Sequence, residues 1–282
     1  MFEKVIELSG HGTDTGIWPR FFLQMHDLGQ FAVGKQEFDT RSEKYFKDVI
    51  PQIEKFYDIF HDYKNLVADY REGIKSGKFY KIDERGHITH TKMPETKIFD
   101  KVKDFFIHGK IMLVTFVESG IIDEPGFNFT DFYFAGENKL EQKKIEYLKT
   151  TEGYFIPLIT LLEKAQNSLL RPFNSVRGDI EHNRFNIDDF KLEESMNGAI
   201  VNEPLFQNKS LSVTLQVYYD KILDLIEKLV AYYFGIKAET KPGCFELYVR
   251  REYNYPKLLY KFTIAFGGNV LLGTPADKCG YN

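Results

Sequence analysis

The fold class is decided by residues 212–234, which read SVTLQVYYDKILDLIEKLVAYYF. Large apolar residues recur there at every third or fourth position, and Leu215, Ile222 and Leu229 lie about two helical turns apart. This spacing places the apolar side chains on one face of an α-helix and most of the charged ones on the other. Gly235 follows directly and is typical of the residue that ends a helix. The stretch therefore predicts an amphipathic helix with one buried face.

The same helical spacing occurs in four earlier parts of the chain. These segments are residues 39–72, 95–118, 139–167 and 172–184. Pro51 should kink or split the first of them, and Gly153 and Pro157 should divide the third. Pro172 suits the first turn of the last segment, where a missing N–H has no helical partner to lose. Together these patterns predict a mainly α fold, a helical bundle of about five helices with peripheral β-hairpins.

Alternating apolar residues appear in two shorter regions. Residues 78–93 alternate about Gly86, which predicts a β-hairpin inserted in the helical part of the chain. Residues 244–250 and 258–266 predict two antiparallel strands closed by the pair Gly267–Gly268. The Gly-rich start of the chain predicts irregular structure, with short strands near Val5 and Phe31.

These patterns divide the chain into three consecutive parts. The parts are an irregular N-terminal segment (1–35), a helical bundle (36–235, with its core at about 95–235) and a C-terminal β-hairpin extension (236–282). Aromatic residues make up 16% of the chain, an excess that predicts a Phe-rich core.

Composition restricts the class of protein. The net charge of −4 excludes a basic field over the whole surface, so any RNA-binding surface must be local. Cys244 and Cys279 fit neither a disulfide framework nor a zinc site, and we expect no metal or other cofactor. No secretory signal is visible, and no uncharged apolar run approaches the roughly 20 residues of a membrane span. We therefore expect a cytoplasmic protein that is not embedded in a membrane.

Chemistry-bearing residues concentrate in residues 174–184, which read NSVRGDIEHNR. Only Val176 and Ile180 are apolar, so most of this short helix is free to face a cleft or a partner. Arg177 and His182 are five residues apart, which is about 140° around the helix and about 7.5 Å along it. Both side chains are long enough to reach a common point beyond the helix.

An imidazole and a guanidinium suit RNA cleavage without a metal ion. The reaction needs a base for the 2′-OH proton, an acid for the leaving 5′-oxygen and a cation against the charge on phosphorus. Histidine titrates near neutrality, and arginine presents a planar fork of donors to phosphate oxygens. One histidine does not easily perform both proton transfers. A two-fold axis would bring His182 of one copy near His182 of a second copy.

The pattern Arg-(four residues)-His on a late, short helix resembles the signature of the HEPN superfamily, helical domains that are often ribonucleases. The string Arg177-Gly-Asp-Ile-Glu-His182 is similar to the Arg-x-Asp-Ile-Glu-His versions of bacterial members. The resemblance implies a homodimer whose two motifs form one composite site. It also implies RNA as substrate, a toxin–antitoxin or phage-defence context, and an antitoxin protein as a partner.

By this resemblance Arg177 and His182 are the catalytic candidates. His182 would act as general base or acid, Arg177 would stabilise the phosphate and the transition state, and Asp179 would orient His182. Three further residues would contact the substrate: Glu181, Asn183 and Arg184.

Two alternatives remain open at this stage. Gly178 stands where family members commonly carry a polar residue, and together with the acidic net charge it favours a non-catalytic HEPN-like binding or scaffolding module. The motif also has a purely structural interpretation. Arg177 and Glu181 have the spacing of an i,i+4 ion pair, and Asp179 and His182 that of a surface hydrogen bond.

Overall fold

The computed structural model describes most of the helical part of the chain. The described residues are 24–82, 84–85, 88–90, 93–123, 141–142, 144–146, 156–195, 198–240, 245–249, 262–266 and 269–272. Their α-helices are α1 (Met25–Val33), α2 (Lys35–Lys44), α3 (Ile50–Lys75), α4 (Met93–Glu118), α5 (Ile156–Ala165), α6 (Arg171–Glu181) and α7 (Leu211–Glu239). The prediction of a mainly α fold is confirmed. None of these described helices combines the length and the apolar character that a membrane span needs.

The described strands are short and pair antiparallel. The strands are β1 (Tyr80–Ile82), β2 (Ile88–His90), β3 (Lys191–Ser195), β4 (Gly198–Asn202), β5 (Leu205–Phe206), β6 (Lys209–Ser210), β7 (Phe245–Val249), β8 (Phe262–Phe266) and β9 (Asn269–Leu272). They form the hairpins β1–β2, β3–β4 and β5–β6 and the sheet β7–β8–β9. The two predicted C-terminal strands correspond to β7 and β8, which pair with each other. Gly267 and Gly268 do not close this pair, because in the sequence they lie between β8 and β9.

The N-terminal part of the described chain corrects one prediction. Residues 25–33 form helix α1, although the sequence predicted irregular structure with a strand near Phe31. Three residues spaced three and four apart are buried on one face of this helix: Met25, Leu28 and Ala32. Burial of this face outweighs the low helix propensity of the nearby glycines. Helix α1 ends at Gly34, whose φ of 86° turns the chain into α2. The other predicted strand, near Val5, lies outside the described residues.

Pro51 was predicted to kink or split its helix and does not split it, whereas Pro172 lies in the first turn of α6, as predicted. A five-residue π-helical segment (Tyr45–Val49) precedes Pro51, and a second one (Gln166–Leu170) precedes Pro172. In the first, the N–H of Ile50 donates to the carbonyl of Tyr45, five residues back. A proline has no N–H and its ring crowds the carbonyl four residues before it. The π-helical segment before each proline accommodates the missing N–H and the bulky ring without ending the helix. Residues 35–75 and 156–181 are therefore helical throughout.

The chain forms two compact units. The first comprises Met1–Ile50, Thr115–Ala165 and Asp224–Asn282, and the second comprises Pro51–Val114 and Gln166–Leu223. In the first unit, Phe38 of α2 packs against Phe234 of α7, with 5.7 Å between ring centroids.

The second unit has an aromatic core, which accounts for much of the aromatic excess. Phe56 of α3 lies between Phe105 of α4 and Tyr219 of α7, with ring centroids 4.6 and 5.4 Å away. Phe173 of α6 joins this core through Phe106, whose ring centroid is 4.9 Å away. The four helices of this unit therefore meet through rings, and offset or edge-on ring pairs add to the free energy of apolar burial.

Helix α6 crosses α4 at a glycine. A Cβ atom on Gly109 of α4 would lie 2.6 Å from Cζ of Phe173, closer than real Cβ contacts. The absent side chain thus allows the ring of Phe173 to rest on the backbone of α4. This close approach fixes the start of α6 and thereby positions the polar residues that follow it.

Candidate functional site

The C-terminal end of α6 is a well-defined turn. Asn183 has a φ of 54°, the left-handed conformation that asparagine tolerates better than most residues. Its N–H donates to the carbonyl of Ile180 at 3.1 Å, and the N–H of Arg184 donates to the carbonyl of Asp179 at 2.7 Å. These two bonds form a Schellman motif, in which the last carbonyls of a helix regain partners. The backbone of His182, which lies within this turn, is held in place.

The chain is anchored again directly after the turn. The ring of Phe185 contacts Phe106 at 6.3 Å and Phe206 at 5.9 Å between centroids. Residues 182–184 are exposed and lie between this anchor and the buried part of α6. The sequence reasoning did not single out Phe185, because an isolated aromatic residue after a helix carries no distinctive pattern.

His182 presents its imidazole to solvent. Its N–H donates to the carbonyl of Gly178 at 3.0 Å, as expected for the residue that caps the helix. Among the residues that the structure describes, its side chain has no hydrogen-bond or ion-pair partner. The expected orienting contact from Asp179 is absent, and the Asp179 carboxylate instead lies 3.3 Å from the guanidinium of Arg184. In the monomer, therefore, the side chain of His182 is accessible but not oriented.

Arg177 forms an ion pair with Glu181, one helical turn later. This is the pairing that the structural interpretation of the motif predicted. The two side chains are 37% and 42% exposed, and exposed i,i+4 pairs contribute only about 0.3–0.5 kcal/mol. Such a pair holds the guanidinium weakly, and a stronger anion can displace the carboxylate.

A second cation lies close enough to Arg177 for the two charges to interact. Lys110 of α4 is half-buried, and burial lowers the pKa of its ammonium group. The positive charge of Arg177 lowers the same pKa further, since like charges disfavour each other. The sequence reasoning missed Lys110, because it lies on a different helix and only the crossing at Gly109 brings it to α6.

Asn174 adds a polar group on the same face of α6. It lies one turn before Arg177 and Gly178, and residues three and four apart on a helix are neighbours. Its Oδ1 atom is buried and has no hydrogen-bond partner within the described part of the chain. A buried acceptor without a partner costs about 1–3 kcal/mol, so native proteins seldom keep one without a reason.

His108 of α4 belongs to a different surface from the end of α6. His108 lies among Lys55, Lys101 and Asp104, and burial, followed by the charge of Lys55, lowers its pKa. Lys101 is paired with Asp62 of α3, which shows that this side of α4 faces α3. No three metal-ligating side chains in the described ranges are placed to hold a metal ion.

Helix α6 therefore carries an accessible imidazole at its C-terminal end, with Arg177 and the buried amide oxygen of Asn174 earlier along the helix. An imidazole can transfer protons, and paired cations can bind a phosphate group. No family model, no curated protein and no solved structure matched the chain.

Proposed function

We propose that the chain is a metal-independent endoribonuclease of the HEPN type that acts as a homodimer in a toxin–antitoxin or phage-defence system, with RNA as substrate and an antitoxin as partner. The observation that carries the proposal is the exposed imidazole of His182, which a Schellman turn holds at the end of the helix that also carries Arg177. An imidazole needed only for packing would be buried or hydrogen-bonded. This one is held at the surface and left accessible.

The proposed reaction is attack by the RNA 2′-oxygen on the adjacent phosphorus. One His182 takes the 2′-OH proton, the bond from phosphorus to the 5′-oxygen breaks, and the His182 of the second copy gives that oxygen a proton. The products are a 2′,3′-cyclic phosphate and a 5′-hydroxyl. Arg177 leaves Glu181 and donates to the phosphate oxygens, where negative charge develops.

The first test is the substitution His182→Ala in the purified protein. The expected result is loss of RNA cleavage with an unchanged melting temperature, because the exposed side chain has no hydrogen-bond or ion-pair partner among the described residues. Asn183→Ala provides a contrast, since it removes a side chain suited to the left-handed turn and should lower stability. An RNA carrying a 2′-deoxy sugar at the cleavage site should resist the wild-type enzyme. Full cleavage by His182→Ala would refute the assignment.

A second test addresses the composite site. Wild-type protein is mixed with an equal amount of His182→Ala and allowed to exchange subunits. If each reaction needs both imidazoles, only pure wild-type dimers are active and activity falls to about one quarter; independent sites in each copy would give about one half. A single-species monomer by light scattering would also contradict the proposal.

The second candidate function is a non-catalytic binding or scaffolding module. The ion pair between Arg177 and Glu181 favours it, because this pairing leaves the guanidinium partly neutralised in the monomer. The cheapest distinction is expression in a bacterial host. Toxicity that is lost with Arg177→Ala supports the nuclease, whereas a harmless wild-type protein that also cleaves no RNA in vitro supports the module.

A further inference from the structure

Two phenylalanines, one before and one after the polar residues 174–184, contact the same ring on α4. The ring centroid of Phe173, near the start of α6, lies 4.9 Å from that of Phe106. The ring centroid of Phe185, beyond the end of the helix, lies 6.3 Å from that of Phe106. The polar residues therefore lie between two attachments to one side chain. Both attachments are apolar, so they hold this segment without using its charged groups.

The attachment at Phe185 has a second support from the hairpin β5–β6. The ring centroid of Phe206 in β5 lies 5.9 Å from that of Phe185 and 6.0 Å from that of Phe106. The hairpin is itself held against α7, because the hydroxyl of Thr214 donates to the carbonyl of Phe206 at 2.8 Å. The ring of Phe185 thus contacts two rings whose own elements are fixed independently of the turn.

The turn that carries His182 is joined to this anchor through its backbone. The N–H of Phe185 donates to the carbonyl of Asp179 at 3.0 Å, and the same carbonyl accepts from the N–H of Arg184 at 2.7 Å. A displacement of Phe185 would strain or break these bonds, which close the turn around His182. The position of the His182 backbone therefore depends on the ring contacts of Phe185.

Packing of the turn is the means of placing His182 that the described residues provide. The carboxylate of Asp179, which could have oriented the imidazole, lies 3.3 Å from the guanidinium of Arg184 instead. A group that transfers a proton must come within hydrogen-bond reach of the reacting oxygen. A misplacement of about 1 Å can lower the rate about a hundredfold.

We propose that Phe185 is a positioning residue, which holds the turn after α6 against Phe106 and Phe206 and so sets where His182 stands relative to Arg177. This inference rests on the proposed function for its account of catalysis. It assigns to apolar packing the role that the sequence analysis gave to Asp179.

The first experiment examines the turn without any reaction. Amide hydrogen exchange, followed by NMR, reports on the N–H groups of Asn183 and Arg184, both of which are bonded within the turn. In Phe185→Ala both should exchange about tenfold faster relative to amides in the middle of α7, because the turn opens more easily without the ring contacts. In Phe185→Tyr exchange should match the wild type, since the ring stays and a half-buried side chain leaves its hydroxyl a path to solvent.

The matched control is Phe99→Ala. Phe99 of α4 is also half-buried and also packs on an aromatic ring, that of Phe190, with 5.9 Å between centroids. Its loss should destabilise the protein without accelerating exchange at Asn183 and Arg184. The inference is overturned if Phe185→Ala leaves exchange in the turn unchanged, or if Phe99→Ala accelerates it equally.

The second experiment measures RNA cleavage by the same three variants. In Phe185→Ala, kcat should fall about a hundredfold with little change in KM, because the imidazole is misplaced while Arg177 still binds the substrate. Phe185→Tyr should retain the wild-type kcat. An equal fall in Phe99→Ala, or in Phe185→Tyr, would overturn the positioning role. A wild-type protein that cleaves no RNA refutes the nuclease instead, and the exchange measurement still decides whether Phe185 holds the turn.

Discussion

A pair of glycine substitutions tests the geometry on which the site depends. Gly109 of α4 and Gly178 of α6 both lie inside α-helices, where glycine destabilises by roughly 0.5–1 kcal/mol relative to alanine. Helix propensity alone therefore predicts that both changes to alanine stabilise the protein equally. The structure predicts opposite signs.

The expected magnitudes follow from the space around each Cβ position. At Gly178 no described atom lies within 4 Å, so Gly178→Ala should gain the full value of about 0.5–1 kcal/mol. At Gly109 the new Cβ would lie 2.6 Å from Cζ of Phe173 and 3.0 Å from Cε2 of Phe56. Overpacking a well-packed core costs about 1–3 kcal/mol, which exceeds the gain in helix propensity. Gly109→Ala should therefore destabilise by about 1–2 kcal/mol.

Thermal unfolding followed by circular dichroism measures both changes. Gly178→Ala should raise the melting temperature by about 2 °C, and Gly109→Ala should lower it by about 2–6 °C. Two variants stabilised to the same extent would show that α6 does not rest on α4 at Gly109. The placement of Lys110 beside Arg177 would then lose its support.

Three further predictions concern buried polar groups of the second unit. Glu203→Ala should lower the free energy of unfolding by about 2–3 kcal/mol in urea titrations. The side chain of Glu203 is only 3% exposed, and its carboxylate accepts hydrogen bonds from the N–H and the hydroxyl of Ser212 at 2.7 and 2.8 Å. A loss below about 0.5 kcal/mol would contradict this prediction. Tyr70→Phe should lower the free energy of unfolding by about 1–3 kcal/mol in the same assay, because the buried carboxylate of Glu95 loses the 2.6 Å hydrogen bond from the Tyr70 hydroxyl. An unchanged free energy of unfolding would show that this bond is dispensable. His108 has a pKa lowered by burial and then by a neighbouring lysine, so the unfolded chain takes up the proton first and stability is lost as the pH falls below 6.5. His108→Leu should flatten that part of the curve of melting temperature against pH, and an unchanged curve would argue against the shift.

The long periodic helices were predictable because burial fixes their pattern. Predicted residues 95–118 correspond to α4 (Met93–Glu118), and predicted residues 212–234 to α7 (Leu211–Glu239). The predicted end of α7 was wrong, because the helix continues through Gly235 to Glu239. Gly235, Ile236 and Ala238 are buried, so packing of the last turn outweighs the helix-ending preference of glycine.

Short elements with mixed polarity were not predictable. The hairpins β3–β4 and β5–β6 lie within residues 191–210, for which the sequence analysis predicted no helix or strand. The turn of β5–β6 uses Gln207 and Asn208 with φ of 53° and 64°, and only asparagine is a common residue for that conformation. A glutamine at such a position gives no turn signal. A two-residue turn fixes the register of a hairpin, so a turn that the sequence does not signal leaves the pairing of β5 with β6 unpredicted as well.

The local part of the site was predictable and its long-range part was not. The string from Arg177 to His182 indicated a polar helix end, and the ion pair of Arg177 with Glu181 followed from their spacing. The same local reasoning assigned Asp179 to His182, but the Schellman turn brings Arg184 to Asp179 instead. Lys110 could not be found in this way, because its relation to the motif exists only after α4 and α6 cross.

The ion pair of Arg177 with Glu181 favours the module, but it is too weak to exclude the enzyme. An exposed i,i+4 pair of about 0.3–0.5 kcal/mol changes an affinity for Arg177 by only about twofold. A phosphate that meets Arg177 gains a charge-assisted contact worth about 1.5–3 kcal/mol. A phosphate bound by the proposed enzyme would therefore displace Glu181 from Arg177. In the proposed mechanism, what separates enzyme from module is the second proton donor, which His182 of another copy would supply.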